Sequence, residues 1–317
     1  MSSTSAPAAP RYVSYATHLR QTFGCRVQKI SIDAGFTCPN RDGSVTTGGC
    51  IYCNNASFSP GNRRQSVTEQ LENGKAFLQR RYGAKKFIAY FQAYTNTYAD
   101  IAYLKDLYDE ALTCDDIVGL SIGTRPDCVP DTVLDLLASY ASRTYLWLEL
   151  GLESGHDQTL ALINRGHNVA AFDDAVSRAR LRNLNLCAHL ILGLPGETPD
   201  DMRATVRHVA HLRLDAVKLH HLHIVRHTVL EKMYRQGKVS LLSLDAYAAL
   251  VADSLELLPP DTIIMRLMGD APRDMLVAPL WSWDKRLALS QIEQELERRD
   301  IHQGSAYSGF LRPSPTP

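Results

Sequence analysis

Between residues 27 and 224 the chain repeats one pattern: a short run of alternating apolar positions, a turn, then a stretch with its apolar residues on one helical face. The runs at 27–34, 86–94, 117–123, 145–153, 184–192 and 216–223 read as strands. The stretches at 66–81, 131–141 and 170–182 read as helices between them. Strand alternating with helix predicts parallel strands joined by right-handed crossovers. Six such units without a dinucleotide-binding glycine fingerprint predict an α/β fold, a partial (β/α)6 TIM-like barrel.

Successive side chains on a strand face opposite sides. Leu148, Leu150 and Leu152 oppose Glu149, Gly151 and Glu153, and Phe87, Ala89 and Phe91 oppose Tyr90, Gln92 and Tyr94. Leu186, Ala188, Leu190 and Leu192 oppose Cys187, His189, Ile191 and Gly193, and Val118, Leu120 and Ile122 oppose Ser121, Gly123 and Arg125. A parallel strand covered on both faces is almost continuously apolar. Four strands with one polar face therefore predict a polar lumen near the strand C-termini, where barrel active sites lie.

After residue 224 the pattern changes to helical stretches at 241–258 and 285–299 around a strand at 262–267. The expected organisation is a disordered tail over 1–12, a barrel core over 13–235, a small C-terminal α/β extension packed on the barrel over 236–303, and a flexible Gly/Ser/Pro-rich tail over 304–317.

Composition adds boundaries. Of 317 residues 45% are hydrophobic, and 34 Lys plus Arg balance 34 Asp plus Glu, so no overall field draws the chain to nucleic acid or membrane. The pairs Arg63-Arg64, Arg80-Arg81 and Lys85-Lys86 are the candidates for a local basic patch, which keeps RNA open as a partner. No apolar run is long enough for a bilayer, and residues 1–10 lack a basic-then-apolar signal pattern, so the expected location is cytoplasmic.

Seven cysteines, an odd number without an export signal, argue against a disulfide framework. Cys25, Cys114, Cys128 and Cys187 are scattered; Cys25 and Cys114 read as small buried hydrophobes, and so does Cys128 ahead of a role as a thiyl participant. Cys38, Cys50 and Cys53 instead share a Gly-rich loop after the first strand, separated by eleven and then two residues. Three thiolates at the catalytic end of a barrel suit a soft metal centre. A closed zinc site takes four ligands, whereas a 4Fe–4S cluster on three cysteines leaves one iron open. The alternative is a structural zinc knuckle completed by Cys25, His18 or another donor, in a barrel hydrolase or an RNA-binding module.

The strand motifs carry a resemblance. Ser121-Ile-Gly-Thr-Arg-Pro-Asp-Cys128, Leu148-Glu-Leu-Gly-Leu-Glu-Ser154 followed by Ile163-Asn-Arg-Gly-His167, Ala188-His-Leu-Ile-Leu-Gly-Leu-Pro195 and Lys218-Leu-His-His-Leu-His-Ile-Val-Arg226 resemble the radical S-adenosylmethionine (SAM) core of the elongator catalytic subunit. Gly35-Phe-Thr-Cys-Pro-Asn-Arg-Asp-Gly43, Tyr90-Phe-Gln-Ala-Tyr94 and Ala278-Pro-Leu-Trp281 are similar to the YhcC-type radical SAM proteins. The resemblance covers residues 20–305. It implies a 4Fe–4S cluster on Cys38, Cys50 and Cys53, SAM as cofactor, and a low-potential flavodoxin- or ferredoxin-like electron donor.

Carried over by position, Arg165 pairs with the SAM carboxylate, to which a guanidinium presents a matched fork of donors. Tyr52 sits beside the adenine, Glu153 near the methionyl and ribose groups, and His189 near the ribose. Gly193 and Gly196 let the backbone approach the adenine edge. Gln92 stands where many relatives have a Gly-Gly-Glu turn that holds the cofactor amine. Two departures separate the chain from elongator: Gly123 replaces an acid, and residues 240–317 carry nothing resembling the acetyltransferase domain. From the polar strand faces, Glu149, Lys218, His220 and Arg125 are the candidates to face the substrate. His220, His221 and His223, of mixed facing, do not predict a second metal.

Overall fold

The computed structural model describes residues 10–57 and 63–309. The tails expected over 1–12 and 304–317 therefore lie, for residues 1–9 and 310–317, outside the described residues. In chain order the strands are β1 (Val27–Ile32), β2 (Lys86–Phe91), β3 (Ile117–Thr124), β4 (Tyr145–Glu153), β5 (Asn185–Leu192), β6 (Ala216–His221), β7 (Ile224–Val225), β8 (Ile263–Arg266) and β9 (Leu276–Ala278). The helices are α1 (Tyr15–Phe23), α2 (Val67–Tyr82), α3 (Ile101–Thr113), α4 (Asp131–Ala141), α5 (Asp157–Leu162), α6 (Val169–Arg180), α7 (Pro199–His211), α8 (Val229–Arg235), α9 (Leu244–Leu257) and α10 (Lys285–Arg298).

The main sheet is parallel throughout, in the order β1-β2-β3-β4-β5-β6-β8. It is the expected partial barrel with one strand more: β8, from the expected C-terminal extension, continues the sheet beside β6. The helices start and stop where local chemistry dictates. Ser66 and Glu69 form a capping box at α2, which ends on Gly83 in the left-handed conformation. Thr198 and Asp201 do the same for α7, with Pro199 in its first turn.

The alternation sorts the sheet into two faces. Leu148, Leu150 and Leu152, Phe87, Ala89 and Phe91, and Leu186, Ala188, Leu190 and Leu192 are buried with apolar residues of the crossover helices in the largest core. Each such Leu or Phe contributes about 1.5–3 kcal/mol by leaving water. On the inner face the bottom of the barrel is apolar, where Tyr15 and Leu19 of α1 pack on Val27, Ile88, Trp147, Cys187 and Ile263. Above this plug the inner face turns polar.

β1 and β8 end the sheet without pairing, so the barrel has a seam. The approach to α1 crosses it: Ser14 bridges to Ile264, and the Ile264 N–H donates to the Val13 carbonyl at 2.8 Å. Among the described residues no helix is long and apolar enough to cross a membrane.

Candidate functional site

The long gap between Cys38 and Cys50 folds as a small hairpin. Asp42 bridges antiparallel to Thr47, Val45 N–H donates to the Pro39 carbonyl at 2.9 Å, and Gly49 N–H donates to the Asn40 carbonyl at 2.7 Å. The excursion returns Cys50 to the wall that holds Cys38, and Cys53 N–H closes a turn onto the Cys50 carbonyl at 3.0 Å. Gly49 has φ +80, and a β-carbon there would come within 3.0 Å of the Arg41 guanidinium. That guanidinium donates to the Cys53 carbonyl at 2.7 Å.

The segment Ile163-Asn-Arg-Gly166 clasps this loop. Ile51 N–H donates to the Ile163 carbonyl at 3.0 Å, and Asn164 Nδ2 donates to the carbonyls of Gly49 at 2.8 Å and Thr47 at 3.2 Å. Asn40 Nδ2 donates in return to the Asn164 carbonyl. Gly166, at φ +77, leaves no room for a side chain, since a β-carbon would collide with Asn40 Oδ1.

One cavity at the C-terminal ends of the strands is lined by all three cysteines together with Tyr52, Gln92, Arg125, Glu153, Arg165, His189, Lys218 and His220. The structure thus brings together most of the residues singled out from the sequence. Glu149 lies directly beneath, fully buried. Gly193 and Gly196 follow β5 at φ +92 and +86, outside the lining of this cavity; Gly193 packs against Leu242 and Leu222.

Arg165 donates to the Gly151 carbonyl at 2.7 Å, pairs with Glu153 at 3.3 Å and reaches the Cys50 sulfur at 3.7 Å. Its Nε is buried with no partner among the described residues. Gly151 is what admits it, because a β-carbon there would overlap the guanidinium. Burial raises the Glu153 carboxyl against the opposing pull of Arg165. Arg125 forms a fork on Asp127 at 2.9 and 2.7 Å and donates to the Arg165 carbonyl at 2.7 Å, so it supports the clasp. Gln92 accepts from the Ser31 hydroxyl at 2.8 Å.

The donor set fits a 4Fe–4S cluster. All three cysteines are unbridged, and two of the sulfurs have nitrogen donors nearby: Asn40 at 3.5 Å and Arg165 at 3.7 Å from Cys50, and Asn55 at 3.8 Å from Cys53. Such contacts, with Arg41 alongside, offset the charge that three thiolates bring. Burial and the adjacent Cys50 push the Cys53 thiol up to about 11, opposed by Arg41, so a bound metal has to displace its proton. The zinc alternative loses its named fourth donors. His18 bonds Tyr145 at 3.0 Å and Cys25 packs in the apolar plug, both at the other end of β1, about 20 Å of strand away.

Below the cysteines lies a charged lumen. Glu149 receives Lys29, Lys218 and the Ser121 hydroxyl, and His189 Nε2–H donates to it at 2.7 Å. Burial disfavours its charge, yet Lys218, Lys29 and His189 hold the carboxyl well below its ordinary range. Burial and Lys218 lower His189 to about 4, which keeps it neutral and makes it the donor to Glu149. Lys29, Tyr90, Arg266, Asn40 and Asn164 were not among the sequence-derived candidates. The signal for Lys29 was present in its placement between Val27 and Ser31 on the inner face.

Comparison with known proteins matches this architecture. The radical SAM superfamily model matches residues 40–209, and that of the radical SAM C-terminal domain matches residues 214–298. The chain is 42% identical over 299 residues to YtqA of Bacillus subtilis, covering 94% of this chain and 93% of that protein. It is 41% identical over 290 residues to YhcC of Escherichia coli, covering 91% and 93%. The structure of the elongator protein Elp3 from the archaeon Methanocaldococcus infernus superposes with a TM-score of 0.69 at 16% identity, a likeness of fold. That match takes in 87% of this chain and only 64% of the archaeal one. Family model, full-length relatives and curled parallel sheet agree: the chain belongs to the radical SAM superfamily, whose members use a 4Fe–4S cluster and SAM.

Proposed function

We propose that this chain is a radical SAM enzyme that holds its cluster on Cys38, Cys50 and Cys53 and acts on a substrate in the charged lumen below them. The carrying observation is that three unbridged cysteines, folded back by a hairpin and clasped by Ile163–Gly166, line the same cavity as Arg165, Glu153 and His189. When bound, cluster and SAM would supply reductive radical chemistry capable of hydrogen abstraction from a substrate.

The chain's own residues supply position and environment. Arg165, pinned to the Gly151 carbonyl, presents a buried guanidinium to the cofactor carboxylate. Tyr52, half-buried beside Glu153 and Arg165, walls the cofactor pocket next to Cys53, while Glu153 and His189 face its polar groups. Gly193 and Gly196 shape the turn after β5 on the adenine side. Tyr15, Leu19, Ile88 and Trp147 pack the bottom of the lumen with apolar side chains. A flavodoxin- or ferredoxin-like donor delivers the electron, and a low-potential cluster of this kind belongs in the reducing cytoplasm.

The test is anaerobic reconstitution, iron and sulfide analysis, and incubation with SAM and dithionite. About four irons per chain, with 5′-deoxyadenosine formed by the parent and absent from Cys53→Ala, is the expected result. Stoichiometric zinc in a colourless protein that yields no deoxyadenosine would overturn the reading.

A further inference from the structure

The charges around the lumen do not balance. Near the cavity rim three cations have carboxylate counterparts: Arg165 with Glu153, Arg125 with Asp127, and Lys285 with Asp270. Deeper in stand three cations from three strands, Lys29 of β1, Lys218 of β6 and Arg266 of β8, and only Lys29 and Lys218 pair with the carboxylate of Glu149. Glu149 is saturated by Lys29, Lys218, Ser121 and His189. Arg266, half-buried and lining two cavities, has no carboxylate or hydrogen-bond acceptor within bonding distance among the described residues. A guanidinium that faces a cavity without a carboxylate partner presents a fork of donors matched to an oxyanion.

Arg266 is not alone. It stands in register beside Lys218, and Lys218 stands beside His189 on the next strand. His220 and His223 lie in its field: burial holds His223 down at about 4 with Arg266 adding to the effect, and burial then Arg266 hold His220 well below its ordinary value. Both are therefore neutral and can donate or accept. His220 Nε2 and His223 Nδ1 are buried without a partner among the described residues. Unsatisfied donors and a surplus of positive charge thus converge on one place.

Two cavities share this wall. Tyr90, Gln92, Lys218 and Arg266 line both the cavity under the cysteines and a second one that opens at the seam between β1 and β8, beside Tyr12, Tyr15 and Met265. A group held at Arg266 is reached from the side, which leaves the cysteine end to the cofactor.

We propose that Arg266, with Lys218 beside it and the unpartnered ring nitrogens of His220 and His223 nearby, anchors an oxyanion, a carboxylate or phosphate, of a small acidic substrate that enters through the seam. That the anion is the substrate's rests on the function proposed above; that the lumen binds an anion does not.

The experiment titrates inorganic phosphate, and separately malonate, into the reconstituted, SAM-saturated protein by calorimetry. Arg266→Gln, Arg266→Lys and Lys218→Gln are compared with Arg80→Gln, an exposed charge change on α2. Saturable binding of at least one probe is expected, weakened ten-fold or more by Arg266→Gln, partly restored by Arg266→Lys and unchanged by Arg80→Gln. Phosphate alone or malonate alone identifies the source of the oxyanion. Should Arg266→Gln melt early, Arg266→Lys and Lys218→Gln carry the comparison. Absence of saturable binding, equal affinity in parent and Arg266→Gln, or loss of SAM binding in place of anion binding would overturn the assignment. A chain that takes up no cluster but still binds the anion through Arg266 would sink the function reading and leave the lumen site standing.

Discussion

Lys29 on β1 and Glu149 on β4 form an ion pair across the lumen, joining two strands that share no backbone hydrogen bond. Lys218 closes on the same carboxylate from β6. One buried acid thus ties three strands of an open barrel from the inside, where the sheet's own ladders cannot. Removing one partner of a buried ion pair leaves the other charge uncompensated, a loss of about 3–5 kcal/mol. Glu149→Gln, which keeps the shape but not the charge, is expected to lose stability on that scale in urea unfolding, with Lys29→Met on its own losing less. An unchanged midpoint for Glu149→Gln would show that the lumen lysines are already satisfied by water.

The clasp on the cysteine loop makes a separable prediction. Asn164 stands at φ 54, a conformation that glycine also adopts, so Asn164→Gly removes the side-chain donors to Thr47 and Gly49 without backbone strain. Two lost hydrogen bonds cost about 0.5–1.5 kcal/mol each, and each kcal/mol moves the melting midpoint of a chain approaching this size by about 2–4 °C. The expected outcome is a modest drop in Tm with a several-fold loss of retained iron after reconstitution, and faster amide exchange confined to residues 38–53. Iron retention equal to the parent's would mean that the thiolates alone hold the loop.

Lys29 carries a pH dependence. Burial lowers its amine to about 8, against the opposing attraction of Glu149 and with the help of Lys218. The groups that face it are Glu149, Lys218, Ser121, Cys187, Met265 and the rings of Tyr15 and Tyr90. Tyr15, Tyr90 and Cys187 are pushed upward by burial and stay neutral through the window. The folded pKa lies below the unfolded value of 10.5, so between about 8 and 10.5 the folded chain binds fewer protons than the unfolded one. This group's penalty is therefore full below pH 8 and relieved as pH rises to 10.5. The stability of the parent relative to Lys29→Met is expected to increase from pH 7 to pH 10, measured by urea midpoints at each pH. A difference that stays flat would mean that Glu149 holds Lys29 charged throughout.

The strands were legible because they set apolar residues outward at alternate positions, and the polar remainder, Tyr90, Ser121, Glu149, His189 and Lys218, fell on one face. Local alternation suffices for that. It does not say which strands neighbour each other, so the stretch at 262–267 read as a strand while its place beside β6 depended on contacts with residues nearly fifty positions away. Arg266 was hidden for the same reason: at the end of a four-residue strand it looks like any flanking base. The three cysteines announced themselves by type and count. The asparagines that hold their loop did not, since Asn40 and Asn164 are separated by 124 positions and neither type is diagnostic.

Distance along β1 gives the sharpest test of the cysteine assignment. Cys25 precedes the strand and packs in the apolar plug with Trp147 and Ile88; His18, in the first turn of α1, bonds Tyr145 at 3.0 Å. Cys38, Cys50 and Cys53 sit beyond the strand's other end, about 20 Å away. A four-ligand zinc knuckle using either donor would require the first strand to unravel. Cys25→Ser and His18→Ala should therefore reconstitute with the parent's iron content and the same broad visible absorption. Cys38→Ser, Cys50→Ser or Cys53→Ser should each lose most of it. Metal loss from Cys25→Ser matching that from Cys50→Ser would mean that the loop and the barrel floor meet in solution, contrary to the strand between them.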